Sequence, residues 1–224
     1  MLIETLVADA FGTNCYLLSS GPGAECVVVD PGMGIAPRLE DLLAERGLKP
    51  VAVVLTHGHL DHTFSVTPVC GANDVPAYIH TDDAHLLEDP AKGFSANMMS
   101  LVGTGLDWKE PDDVRTLDDG GVVELAGMRF TVDHAPGHTA GSAMFHTAGD
   151  EAAYTLSGDV LFRGAIGRTD LPGGSEDAMW DSLRRKVLPL DDATVVLPGH
   201  GPSTTIAVER VRNPYLKRAA QRAH

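Results

Sequence analysis

The sequence predicts a mixed α/β protein, on three observations. Short β-branched runs recur along its 224 residues, capped helical patterns lie between some of them, and no repeat or low-complexity linker interrupts the series. The runs are Cys26–Asp30, Val51–Leu55, Ala77–His80, Met128–Val132, Ala153–Leu156 and Thr194–Leu197. Each has the length and the residue types of a buried strand. Arg38–Arg46 repeats leucine at helical spacing and stops at Gly47, a residue suited to a helix C-terminus. Thr81–Leu87 and Ser175–Leu188 open with a capping hydroxyl followed by acids, which favours helices. Ile206–Ala220 predicts a terminal helix interrupted at Pro214. Pro90–Gly120, rich in Gly, Pro and Asp, carries the weakest pattern and reads as a long loop, functional or mobile. The length suits one domain spanning 1–224.

Charge narrows the function classes. Seventeen Lys and Arg against 31 Asp and Glu give a net charge of −14, a surface that repels nucleic acid phosphates. No stretch approaches the roughly 20 apolar residues of a membrane-spanning helix, and Met1–Thr5 shows no basic or apolar leader pattern. Cys15, Cys26 and Cys70 are an odd set without CxxC spacing, which argues against a disulfide framework or a thiolate metal site. A cytoplasmic setting is expected.

The chemistry collects where strand-like runs end. Val51–Leu55 leads into His57-x-His59-x-Asp61-His62, and Met128–Val132 leads to Gly137-His138-Thr139. Ala153–Leu156 leads to Ser157-Gly158-Asp159, and Thr194–Leu197 to Pro198-Gly199-His200. Loops at one end of a sheet are where α/β folds gather reactive groups. Just after a strand, side chains at i and i+2 project the same way, so His57 and His59 can share one ion while Asp61 and His62 turn toward a second. Imidazoles and carboxylates without cysteine suit zinc, iron or manganese.

These motifs resemble the metallo-β-lactamase superfamily over nearly the whole chain. The resemblance implies an αββα sandwich with two divalent ions, zinc first and iron or manganese as alternatives, in the cleft between its sheets. It implies that His57, His59 and His138 hold one ion, that Asp61, His62 and His200 hold the other, and that Asp159 bridges them. Leu161–Gly174, with its Gly167-Arg168-Thr169-Asp170 segment, and Pro198–Thr205 with Glu209 and Asn213-Pro214 are similar to short bacterial glyoxalase II–like hydrolases. After His200 only 24 residues follow, with no counterpart of the basic C-terminal segment by which the longer hydroxyacylglutathione hydrolases hold glutathione.

The expected reaction is hydrolysis of a small hydroxyacyl thioester, such as S-lactoylglutathione or an ester of another thiol carrier. A hydroxide between two ions attacks the acyl carbonyl, with Asp61 orienting it as a catalytic group. Persulfide dioxygenases of the same superfamily, with one iron, and lactone hydrolases are the rival expectations. The partner is a small molecule, with no nucleic acid and no membrane; the oligomeric state is open.

Other residues carry plainer expectations. His134 supports the site or the structure, while His80, His85, His146 and His224 are surface or strand-end residues. Asn14-Cys15-Tyr16, after the first strand, is structural, and Cys15 lacks a basic neighbour to activate it. Met98, Met99 and Trp108 either line an acyl or thiol pocket or pack. Arg168 and Asp170 form a buried ion pair bracing the site, and Glu209 and Arg210 lie on a solvated helix face.

Overall fold

The structure, a computed structural model, describes residues 1–95 and 108–221. Its first sheet runs in the order β1 (Leu2–Val7), β2 (Asn14–Ser19), β3 (Glu25–Val29), β4 (Lys49–Val54), β5 (Ala77–His80) and β6 (Val114–Leu117). The first three pair antiparallel, and β3 to β6 pair parallel. The second sheet contains β7 (Val122–Leu125), β8 (Met128–His134), β9 (Ala143–Ala148), β10 (Ala153–Gly158), β11 (Val195–Pro198) and β12 (Thr204–Thr205), adjacent in that order. All its pairs are antiparallel except β10 with β11.

Side chains alternate across a strand, so each central strand feeds two apolar layers. Leu18, Val27 and Val29 face Phe130, Phe145, Leu156 and Leu197 between the sheets. Leu17, Val28 and Val53 turn outward to α1 (Ala36–Arg46) and α3 (Val66–Asn73), burying Leu39, Leu43 and Val69. Met144 and Val196 turn to the opposite outer layer, made by α5 (Glu176–Ser182), its π-helical continuation Leu183–Val187, and α7 (Pro214–Gln221). The result is helix, sheet, sheet, helix, the expected αββα sandwich.

Local chemistry explains the helix boundaries. Ser175 caps α5, its hydroxyl accepting from the Ala178 amide, and α6 (Ile206–Arg212) is capped by Thr205 in the same way. Pro214 separates α6 from α7, as expected. The segment 81–88 divides into a 3₁₀ turn, Thr81–Asp83, and α4 (Ala84–Glu88), because the His80 ring accepts the Asp82 amide and tightens the first turn. The low-pattern stretch 90–120 holds a short 3₁₀ turn at Pro90–Gly93 and β6, which finds its partner in β5.

Candidate metal centre

The centre sits where both sheets end on the same side. After β4 the chain enters Thr56–His59, and α2 (Leu60–Thr63) carries Asp61 and His62 inward. The loop after β8 brings His138, the end of β10 brings Asp159, and the end of β11 brings His200. The two sheets are stitched here by the Ala143 amide donating to Thr56 O at 2.8 Å. Asn14 Nδ2 donates to Pro198 O at 2.9 Å and to Gly201 O at 2.8 Å, holding the backbone on both sides of His200. Gly199 is forced by crowding: a Cβ there would meet the Asp159 carboxylate and lie 2.7 Å from His62 Cε1.

All seven residues expected at the site converge. His57, His59 and His138 form one group of donor atoms within 4.8 Å of each other, and Asp61, His62 and His200 form another. Asp159 stands between them, with Oδ2 3.4 Å from His138 Nε2 and 3.6 Å from His200 Nε2, and Oδ1 3.4 Å from His62 Nε2. Hydrogen bonds behind the rings fix which nitrogen faces inward. His138 Nδ1 donates to Arg168 O at 2.7 Å, and His62 Nδ1 to Asp30 Oδ2 at 3.0 Å. Thr56 Oγ1 donates to Asp30 Oδ2 at 2.6 Å, leaving a lone pair for His57 Nδ1 at 3.1 Å. Each of these rings therefore turns its Nε2 toward the centre, the arrangement of a histidine prepared for a metal.

Several polar atoms that face the centre lack an ordinary partner. His57 Nε2 and Asp159 Oδ1 are buried with no hydrogen-bond partner among the described residues. His59 Nδ1 and His138 Nε2 lie 2.8 Å apart, and His62 Nε2 and His200 Nε2 3.2 Å apart, contacts that a proton or a cation must bridge. Burial, then the neighbouring His62, pushes His57 down, and burial with His138 pushes His59 down to about 3, so both rings are neutral. Burial pushes the Asp61 carboxyl up, but His62 and His200 outweigh it and hold it well below the usual carboxylate range. The same opposition, with His62 the main charge, keeps Asp159 low.

Several residues differ from expectation. The Arg168–Asp170 pair is exposed rather than buried, with side chains 62 % and 67 % accessible. The site is braced there by the Arg168 carbonyl, not its guanidinium. Glu209 is fully buried: its carboxylate accepts from Gly164 N and Thr204 Oγ1 at 2.7 Å and Asn213 Nδ2 at 3.0 Å. It is drawn in because α6 packs on the loop that follows β10, a contact 45 residues apart in sequence. Arg210 donates to Asp192 and to the Leu188 and Leu190 carbonyls, tying α6 to the end of the preceding helix. His80 ends β5 as expected but is buried and stacks on His134 at 3.8 Å, and His134 Nε2 donates to Ala140 O. Trp108 packs, donating to Leu87 O. Met98, Met99 and His224 lie outside the described residues. Sequence reasoning missed Asp30 and Asp83, buried acids whose partners lie 25 to 58 residues away. The strand-end position of Asp30, after the valines of β3, was the one available signal.

Residues 8–200 match the metallo-beta-lactamase superfamily. The chain belongs to this superfamily. Among superfamily relatives, the hydroxyacylglutathione hydrolase GloC of Haemophilus influenzae is 34% identical over 224 residues, covering 96% of this chain and 98% of GloC. The crystal structure of the BLEG-1 B3 metallo-beta-lactamase matches with a TM-score of 0.84 at 38% identity, covering 96% and 99% of the two chains. TTHA1623 in a di-iron-bound form matches with a TM-score of 0.78 at 37% identity, covering 95% and 100%. The chain is a hydrolase-type metalloprotein whose candidate ligands are histidine and aspartate.

Proposed function

We propose that the protein hydrolyses small hydroxyacyl thioesters at a dinuclear centre. The observation that carries this reading is the pair of donor groups joined by Asp159 at the floor of an apolar cleft of about 400 Å³. His57, His59 and His138 would hold one ion and Asp61, His62 and His200 the other, with Asp159 shared. Zinc suits this donor set, as do iron and manganese, and the di-iron form of TTHA1623 supports iron as a candidate. When bound, two divalent ions lower the pKa of a water to near neutrality and stabilise negative charge on the acyl oxygen.

The chain's own groups supply the rest. Asp61, kept ionised by its histidine neighbours and accepting from Thr13 Oγ1 at 3.3 Å, would accept a hydrogen bond from the nucleophile and orient it. Phe11, Met33, Leu60, Phe94, Phe162 and Leu171 form apolar walls that hold the substrate and exclude water from its carbonyl. A thiol leaving group, with a pKa near 8.5, departs as thiolate without a strong general acid. Arg168, the one lysine or arginine among the described residues lining the cleft, is occupied by two 2.7 Å bonds to Asp170. Recognition of an anionic thiol carrier is therefore weak, and KM for a glutathione ester should be high and insensitive to salt. A small-molecule substrate in a reducing, cytoplasmic setting fits the three buried free thiols and the acidic surface. Among the described residues no helix is long and apolar enough to cross a membrane.

The test is elemental analysis of the purified protein, paired with hydrolysis of S-lactoylglutathione under argon and under air. Two ions per chain and oxygen-independent hydrolysis are expected. One iron, with oxygen uptake on a persulfide and no thioester cleavage, overturns the reading in favour of a dioxygenase. Turnover of a lactone alone keeps the centre and replaces the substrate.

A further inference from the structure

We infer that Asp83 is the positioning residue of the three-histidine group, fixing the loops that carry His57, His59 and His138 without touching any of their rings. The inference rests on the ion-binding reading above. Asp83 is fully buried at the end of the 3₁₀ turn that follows β5. Its Oδ2 accepts from the Gly58 amide at 2.8 Å and from Thr139 Oγ1 at 2.7 Å, and its Oδ1 accepts from the Gly141 amide at 2.7 Å. Gly58 is the residue between His57 and His59, and Thr139 is the residue after His138. One carboxylate thus joins the two segments, 79 residues apart, that supply the group.

The contact is built for closeness. A Cβ on Gly58 would stand 2.6 Å from Leu86 Cβ and 3.1 Å from Asp83 O, and a Cβ on Gly141 would stand 2.5 Å from Asp83 N. Neither loop could approach the acid if it carried a side chain there. Charge-assisted bonds to a buried carboxylate are about twice as strong as neutral ones and specify direction. The other donor group has a different support: Asp30 holds the His62 ring directly and reaches the three-histidine group only through Thr56, at His57. Asp83 should therefore govern the first ion and leave the second largely unaffected.

The experiment compares wild type, Asp83→Ala, Asp83→Asn and Thr139→Val, with Val69→Ala as a control that loosens the core away from the site. Zn²⁺ stoichiometry and affinity are measured by competition with a chromogenic chelator, and melting temperatures are taken on the metal-free proteins. Supporting groups behind metal ligands are worth about 10–100-fold in affinity. Asp83→Ala should weaken one ion by that factor and leave the other within about threefold of wild type. Asp83→Asn keeps one acceptor oxygen but turns an NH₂ toward a donor, so its loss should be intermediate. Thr139→Val should show a smaller loss at the same ion, and these two variants decide the matter if Asp83→Ala does not fold. Val69→Ala should lower the melting temperature with both affinities intact. Wild-type affinities in Asp83→Asn and Thr139→Val, or equal weakening of both ions in proportion to melting temperature, overturn the inference. A wild type that binds no ion overturns the hydrolase reading as well, which separates the two failures.

Discussion

Replacing Gly199 by alanine puts a methyl group between two of the proposed ligands. Its Cβ would press on the Asp159 carboxylate and lie 2.7 Å from His62 Cε1 and 3.1 Å from the Gly158 carbonyl carbon. Ordinary contact begins near 3.4 Å, so His62 or the β11 loop must yield by about 0.7 Å. Misplacement of a reacting arrangement by 1 Å costs on the order of 100-fold. A fall of about 10- to 100-fold in kcat/KM for S-lactoylglutathione is therefore expected, with weaker binding of the ion shared by His62 and Asp159. The Gly199 backbone is not in the left-handed region, so backbone strain adds nothing, and any fall in the melting temperature of the metal-free protein comes from the crowding alone. Thioester turnover and metal content are the two readouts. Gly199→Ala with two ions and turnover within about threefold of wild type would refute the reasoning.

Asp159→Ala should lose metal rather than merely slow the reaction, because a carboxylate shared as proposed would offset repulsion between two cations; elemental analysis showing two retained ions would sink the assignment. Verified chelation should lower the melting temperature by several degrees, since an ion at 100 times its Kd adds about 2.7 kcal/mol; calorimetry that finds no shift denies the ions a structural role. Glu209→Ala should destabilise by about 2–4 kcal/mol in urea titrations, stranding three donors, while Arg168→Ala, which breaks an exposed pair, should cost under about 1 kcal/mol; equal costs would contradict the burial contrast. The His146 hydrogen bond, with Lys186 countering partial burial, holds Asp133 below the usual carboxylate range, and Lys186 does the same for Asp119 against its burial. A depressed carboxylate gives stability that is complete above its unfolded pKa, about 3.9, and is lost as pH falls through the native value. The stability gap between wild type and Lys186→Met should thus be largest above about pH 5 and close at lower pH; a gap independent of pH would reject the coupling.

What could be read from the sequence was local. His57 to His62, Gly137-His138, Gly158-Asp159 and Gly199-His200 are short motifs attached to strand ends, and their spacing survives folding unchanged. Strands built from repeated Val, such as β3 and β4, were equally legible. β9, with the sequence AMFHTA, offers small residues and a histidine instead, and becomes a strand because β8 and β10 flank it. β12 is two residues long and exists only through its pairing with β11. Glu209 looks like any helix acid until the loop after β10 arrives to donate to it. Arg168 looks like a brace by side chain and serves by its carbonyl, a role no residue type announces.

Each donor group draws on both sheets: His57 and His59 follow β4 of the first, His138 follows β8 of the second, and the Asp61, His62 and His200 group is divided in the same way. Four candidate ligands follow the first sheet and three follow the second, so an ion held as proposed finds its full ligand set only after the halves have closed. It then acts as a clasp fastened last and opened first. In kinetic terms, added metal should leave the folding rate nearly unchanged and slow unfolding, because the stabilisation is absent from the transition state. Release of the bound ions would precede the parting of the two layers.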